Sequence, residues 1–422
     1  MESKARIMAI TTEPMATRFQ RFCFRTGWLP RNGPTLMVNG GIALLLPLLA
    51  GLLPASAPAV APNPAGATAA EKSELVLGQS APFSGPSAQL GREYREGALA
   101  WFAEVNRRGG IHGRKLRLES LDDRYEPKLT LRNTRQLISS QSTFALFGYV
   151  GTPTVKEILP LVEQEQIPLV APLTGARLLR EPFRPMVFNL RASYQAEIDR
   201  ITDDLVRSGR HRIAVLHQED AFGEDGLEAT RSALARHGLR PVVIAGVQRN
   251  STVTDPAARQ VQRALPGAVV IISAYPSSAA FSRSLQRLGS TAQLMNVSFV
   301  GTGGLQDSLP GGMASGIGVS QVVPFPWDRR VPVVAEYRRL MRQQQRSVRL
   351  GFTSLEGFLA ARWLTAALEK AGPNPSRTAL VAAFESMDRL DLGGYVLRLG
   401  PRDHQASDLV DLTFLGSQRW GP

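Results

Sequence analysis

The stretch Leu75-Val76-Leu77-Gly78-Gln79-Ser80-Ala81-Pro82-Phe83-Ser84-Gly85-Pro86 decides the fold class. An apolar run breaks into small residues, Gly and Pro, so a buried strand ends abruptly in a loop with accessible backbone. A helix-length segment, 88–107, follows. The polar turn Gly109-Gly110-Ile111-His112-Gly113-Arg114-Lys115 then leads into a second strand at 115–122. Strand, small-residue loop, helix, Gly turn and strand open a parallel α/β sheet. In such sheets ligands sit at the carboxyl ends of the strands, where the loop around Phe83–Ser87 lies.

Working outward, strands and helices keep alternating. Short apolar, β-branched runs at 143–148, 168–171, 212–216, 242–247, 268–273 and 293–300 read as strands covered on both faces. Between them 127–139, 155–164, 195–208, 226–237, 255–264 and 277–288 read as helices; Phe281, Leu285 and Leu288 share one face of the last. The alternation breaks at 180–194 and at 322–332, both Pro-bearing, and these breaks read as crossovers. A helical return follows to about 387, and strand-like segments at 394–399 and 410–414 cross once more. The expected fold is α/β, two doubly wound parallel-sheet lobes joined by three crossovers. The expected division is 74–190 plus 326–390 for lobe one and 191–325 plus 391–422 for lobe two. Residues 1–69 are read as a leader and an Ala/Pro-rich segment.

The bulk properties fit that plan. A chain of 422 residues with 43% hydrophobic and 20% charged residues is long for one domain and suits two globular lobes. The net charge of +13 includes Lys4, Arg6, Arg18, Arg21, Arg25 and Arg31 near the start, against only Glu2 and Glu13. The remaining basic residues are scattered among acids, with no basic stripe interleaved with aromatics, so no nucleic-acid partner is expected. The apolar core 41–53, preceded by basic residues and followed by small ones, is too short to span a bilayer and suits an export signal. Cleavage is expected after Ala69, with Ala59-Val60-Ala61 as the less suitable site because Pro62 would adjoin the cut. Cys23, the sole cysteine, precedes that core, so the mature chain carries no thiol for disulfide, nucleophile or metal ligation.

No catalytic pattern emerges. The five histidines, His112, His211, His217, His237 and His404, form neither HExxH nor a metal-ligand spacing. The Gly109–Gly113 turn lies between helix and strand, the wrong end of the sheet for a dinucleotide loop. Ser80 and Ser320 lack a nucleophile elbow, and there is no P-loop. No enzyme activity, cofactor or metal is expected. The segment Gly148-Tyr149-Val150-Gly151-Thr152-Pro153-Thr154 links a strand to a helix, with Thr152 placed to cap it and Pro153 to start it. Free amides at that helix end attract a carboxylate. Pro172-Leu173-Thr174-Gly175-Ala176 follows the next strand and is expected beside it.

The order of segments from Leu75 to Leu415 resembles the branched-chain amino-acid binding proteins, type I periplasmic receptors that serve ATP-driven importers. The resemblance implies that the two loops hold the ligand's α-carboxylate through Thr152 and through Leu173, Thr174 and Gly175. It places Phe222, in Gln218-Glu219-Asp220-Ala221-Phe222-Gly223, where an aromatic closes over the ligand. Tyr275 is a second aromatic candidate, and Leu90, Tyr149, Gly151, Thr154, Asp220 and Thr302 complete the expected site. One departure stands out: the loop Gly301-Thr302-Gly303-Gly304 carries no acid where amino-acid receptors of this family pair the ligand's ammonium. Either Glu219 or Asp220 replaces it, or the ligand has no amine, the alternative the missing acid slightly favours. The resemblance thus implies a periplasmic, monomeric solute-binding protein that captures a small organic acid or amino acid and delivers it to a membrane permease of an ABC importer. The alternative is a receptor of the same fold signalling to a membrane kinase.

Overall fold

The structure, a computed structural model, describes residues 74–416 except 141 and 345–348. The leader, its cleavage sites and Cys23 lie outside the described residues. Among those described, the first sheet holds β1 (Glu74–Ala81), β2 (Lys115–Asp122), β3 (Thr143–Phe147), β4 (Leu169–Val170) and β5 (Val187–Phe188), all parallel, in the order 2-1-3-4-5. Seven of the eight residues of β1 are buried, as befits a strand covered on both faces. The second sheet holds β6 (Ile213–Gln218), β7 (Val243–Val247), β8 (Ala268–Ile272), β9 (Gln293–Asn296) and β10 (Gly318–Gln321) in the order 7-6-8-9-10. That is the first sheet's order repeated. Each sheet therefore reverses direction beside its first strand, at β1/β3 and at β6/β8, and a crevice opens at the carboxyl ends there.

The covering helices are α1 (Ala88–Arg107), α2 (Pro127–Ser139) and α3 (Thr152–Gln164) on the first sheet, and α4 (Tyr194–Arg207), α5 (Ala221–Arg236), α6 (Asp255–Arg263), α7 (Tyr275–Arg287) and α8 (Thr302–Asp307) on the second. The chain returns to the first lobe as α9 (Pro332–Gln344), α10 (Phe352–Ala371) and α11 (Arg377–Glu385). On α1 the buried side chains Leu90, Tyr94, Ala98, Trp101 and Val105 recur every three to four residues. This face packs on α10, where Trp101 Nε1 donates to Thr365 Oγ1 at 2.8 Å and its ring meets Phe358 edge-on at 5.5 Å.

Several boundaries differ from those expected, each for a local reason. Helix α5 starts at Ala221 rather than 226, because the Asp220 carboxylate accepts from the Phe222 amide at 3.0 Å and caps the helix early. Strand β9 stops at Asn296, and Ser298–Val300 form a 3-10 turn; the buried Glu197 carboxylate takes the Ser298 amide at 2.7 Å and its hydroxyl at 3.0 Å. The strand expected at 394–399 shrinks to β12 (Val396–Leu397), paired antiparallel with β11 (Leu390–Asp391). The chain then runs beside the first sheet, where Asn189 N donates to His404 O and Ala406 N to Asn189 O. Only β13 (Asp411–Phe414) reaches the second sheet, antiparallel to β10 at its edge.

The first crossover is fixed by charge. Arg191 lies in it, 2% exposed, and donates both Nε and Nη2 to the Glu356 carboxylate of α10 at 2.8 and 2.7 Å. Glu356 is itself 3% exposed, so the pair is buried on both sides.

Candidate functional site

The carboxyl-end loops of the two sheets face each other and are in contact. Tyr275 Oη donates to Pro86 O, and Gln218 Nε2 lies 3.3 Å from Tyr125 Oη. Ser87 Oγ donates to Asn250 Oδ1 at 2.8 Å, and Arg177 N reaches the Asp225 carboxylate at 3.2 Å. Arg249 spans the seam, with Nη2 2.9 Å from Glu126 and Nη1 3.2 Å from Asp220.

On the first-lobe side the two expected loops do lie side by side. Gly151 N donates to Leu173 O at 3.2 Å and Leu173 N to Tyr149 O at 2.7 Å. The hydroxyls of Thr152 and Thr174 meet at 2.7 Å, both fully buried. Thr152 is not the cap of α3: Gly151 holds that position without a side-chain bond, Thr152 is the first helical residue, and Pro153 follows it. A β-carbon on Gly151 would run into the Tyr125 ring, which is why the turn brings bare backbone there. Thr154 turns its hydroxyl back onto Val150 O and Gly151 O, so its hydrogen is spent within the helix start.

Tyr149 is a correction. Its side chain leaves the seam and packs with Val155, Ile158 and Leu159, its hydroxyl 3.0 Å from Thr134 Oγ1. Gly148, at φ +62°, breaks the strand's alternation between Phe147 and Tyr149 and sends the tyrosine to the opposite face. Only its backbone remains near the loop.

Phe222 stands at the seam in a cluster of rings, 5.1 Å from Tyr194 and 4.7 Å from Phe299, with Tyr125 of the other lobe 5.8 Å from Phe299. None of the four is more than 1% exposed. Leu90 packs against Gly301, where a β-carbon would sit 2.6 Å from its Cδ2, and Gly301 at φ +76° holds a left-handed turn. Thr302 is buried and its hydroxyl lies 3.1 Å from Gln321 Nε2. Gly175 borders a cavity of about 480 Å³ between the loop carrying Arg177 and Arg180 and the helices carrying Gln195 and Asp225. Burial beside Arg191 lowers the Arg180 pKa to about 10.

Neither carboxylate offered as a substitute for the missing acid is free. Asp220 takes the Phe222 amide, Gln218 Nε2 at 2.7 Å and Arg249. Glu219 is exposed and held by Gln248 on the outer edge of the sheet. The carboxylate that does face the Gly301–Gly304 loop is Glu93 of α1, which sequence reading missed. It sits on the helix's buried face, one turn after Leu90, and a glutamate on an apolar stripe was the readable sign. Burial pushes its pKa up to about 7, with the Gln89 amide opposing. Asp123, beneath the β1 loop, accepts from Ser80 Oγ at 2.9 Å and Thr130 Oγ1 at 3.1 Å; burial raises its pKa to about 6. Among the described residues no three His, Cys, Asp or Glu side chains are grouped to hold a metal ion, and no helix is long and apolar enough to cross a membrane.

Comparison with known proteins agrees with this architecture. A structure from Rhodopirellula baltica, described as a possible leucine/isoleucine/valine-binding protein, is 35% identical, with a TM-score of 0.79 over 83% of this chain and 96% of that one. A substrate-binding periplasmic protein from Ralstonia solanacearum is 32% identical, with a TM-score of 0.77 over 82% and 98%. Among curated relatives, an amino acid binding protein of Pseudomonas aeruginosa is 23% identical over 53% of this chain and 60% of its own length. Leu/Ile/Val-binding protein homolog 3 of Brucella melitensis is 28% identical over 42% and 48%. The chain thus spans about half to three fifths of those curated relatives. The family model for periplasmic binding proteins matches residues 74–414, beginning at the first residue of β1 and ending at the last of β13. No part of the two-sheet architecture falls outside that match: the chain belongs to the periplasmic binding protein family.

Proposed function

We propose that this protein is exported, closes its two lobes over a small organic acid or amino acid, and presents the closed form to the membrane permease of an ABC importer. The observation that carries the reading is the Thr152–Thr174 hydroxyl pair at the start of α3, placed where the carboxyl-end loops of both sheets meet. Two hydroxyls and the positive end of a 13-residue helix are suited to a carboxylate, which would replace the bond the threonines now make to each other. The contacts spanning the seam, from Tyr275 to Pro86 and from Arg249 to Glu126, are of the kind that hold a closed form. Among the described residues the cleft brings together no nucleophile and base, and capture is the role we read from it.

Replacing Thr152 by Ala is expected to weaken carboxylate binding by about 1–3 kcal/mol, the range for a hydrogen bond to a charged group. Folding stability should change by less than about 1.5 kcal/mol, since only the bond to Thr174 is lost. Titration calorimetry and urea unfolding measure the two quantities. Unchanged affinity in Thr152→Ala would remove the hydroxyl pair from the site.

A further inference from the structure

Of the seven tyrosines, all within the described residues, six have a hydroxyl with a bonded partner and Tyr194 has none. Tyr194 is the first residue of α4, placed by Ser193, whose Oγ accepts from Ala196 N at 3.1 Å and caps the helix. Its side chain is fully buried, and its ring packs 5.1 Å from that of Phe222. Its amide donates to Gly175 O at 2.9 Å. A β-carbon on Gly175 would sit 2.8 Å from Tyr194 Cδ1, so only bare backbone lets the ring lie against the loop that carries Thr174. The Thr174 hydroxyl is close enough to favour the ionised phenol, yet it stands outside hydrogen-bond geometry and is bonded to Thr152 instead. Burial pushes the Tyr194 pKa up to about 12, with Arg191 and Thr174 opposing, so the group stays protonated and can donate. A buried hydroxyl with nothing to donate to is costly, and folded proteins keep few of them.

We propose that Tyr194 is the third hydroxyl of the carboxylate site, its Oη donating to the ligand's carboxylate alongside Thr152 and Thr174. The proposal rests on the capture reading above and adds to that site a residue from the second lobe. Thr152 and Thr174 stand on loops of the first sheet, whereas Tyr194 opens a helix of the second, so the anion is held from both sides of the seam. The donor count fits. A carboxylate accepts about four hydrogen bonds through its two oxygens, and the three hydroxyls supply three hydrogens. Thr174 Oγ1 accepts from Ala176 N at 3.3 Å, which leaves its own hydrogen for the ligand once the bond to Thr152 opens. Without ligand the phenol goes unmet. It therefore contributes to affinity and not to folding, the reverse of a tyrosine bonded within the fold.

Tyr194→Phe separates the two, because it removes one oxygen and no bond. Calorimetry on the exported chain with leucine, 4-methyl-2-oxopentanoate, glutamate, 2-oxoglutarate and butyrate finds the probes that wild type binds. Each of these should bind the variant about 5- to 150-fold more weakly, the loss of one hydrogen bond to a charged group. The melting temperature without ligand should stay the same or rise. Tyr337→Phe is the opposite case: its hydroxyl lies 2.6 Å from Ser354 Oγ and accepts from Gly351 N at 3.0 Å, so that variant should melt lower and keep wild-type affinity. A Tyr194→Phe variant that holds a bound probe within fivefold of wild type would overturn the role of Tyr194 and leave carboxylate capture standing. So would a fall of more than about 2 °C in its ligand-free melting temperature, which would give the hydroxyl a partner in the fold. An equal loss of affinity in Tyr337→Phe would overturn it too, since any buried tyrosine would then have the same effect. Binding of no probe by wild type would overturn capture itself.

Discussion

Replacing Glu356 by Gln is expected to cost about 3–5 kcal/mol of folding stability. The carboxylate is 3% exposed and its partner Arg191 2%, and two charge-assisted bonds of 2.8 and 2.7 Å join them across 165 residues of chain. Removing the negative charge leaves a buried guanidinium with no bonded counter-ion, the Glu197 carboxylate acting on it only through space, and burial already works against that charge. Arg191 Nη1 has no partner as it stands, so the loss has no second acceptor to fall back on. The pair also ties the first crossover to α10, so its loss should loosen the join between lobes. Urea unfolding at pH 7 measures the effect. Replacing both residues with apolar ones of similar volume, Arg191→Met with Glu356→Leu, should recover part of it, because the pair is gone and only the buried Glu197, which Arg191 also stabilises, is left without its cation. A Glu356→Gln variant within about 1 kcal/mol of wild type would show that the pair contributes little.

The second large effect is expected from Gly97→Val. Helices α1 and α10 touch backbone to backbone: a β-carbon on Gly97 would collide with Ser354 O, and one on Gly357 with Tyr94 O. The obstacles are carbonyl oxygens of a buried helix, which cannot rotate away as a side-chain tip could. Overpacking of this kind costs about 1–3 kcal/mol, and the upper end or more applies where the whole helix must shift. Displacement of α10 would also pull Thr365 from Trp101 and separate the Trp101 and Phe358 rings. Gly109→Ala, at a turn with nothing within 4 Å of the added carbon, is the control for handling a glycine; its φ of +106° should make it cost about 1–2 kcal/mol through backbone strain alone. A Gly97→Val variant no less stable than that control would contradict the packing account.

These sites show what the sequence could and could not convey. Strand β2 and helix α2 fall on the expected residues, because β2 pairs with the unmistakable β1 run and α2 opens on Pro127. Two doubly wound parallel sheets followed from alternation and short connections, which are local properties, whereas the strand order in each came from the structure. Where prediction slipped, a distant group intervened: Glu197 bends the end of β9, and Gly148 turns Tyr149 out of the site. The Thr152 and Thr174 loops were legible as strand-to-helix junctions. Their hydroxyl bond was not, since it depends on how two loops 22 residues apart settle against each other. The pairing of Arg191 with Glu356 gave no local sign, since 165 residues separate the two. Glu93 did, but its meaning appears only when Gly303 of the other lobe is brought against it.

The most direct test of the central claim, that the two lobes close over a small carboxylate, is a thermal-shift titration of wild type and Gly301→Val with a panel of amino acids and organic acids. Gly301 lies against Leu90 of the other lobe, so valine there should hold the seam apart, with a further cost of about 1–3 kcal/mol from backbone strain at φ +76° that lowers the melting temperature without ligand. A ligand bound only by the native, closed state raises the melting temperature with concentration; 100-fold excess over Kd corresponds to about 2.7 kcal/mol. The account predicts such a rise for at least one small carboxylate in wild type and its loss in Gly301→Val. No rise with any member of the panel, or an equal rise in the variant, would contradict it.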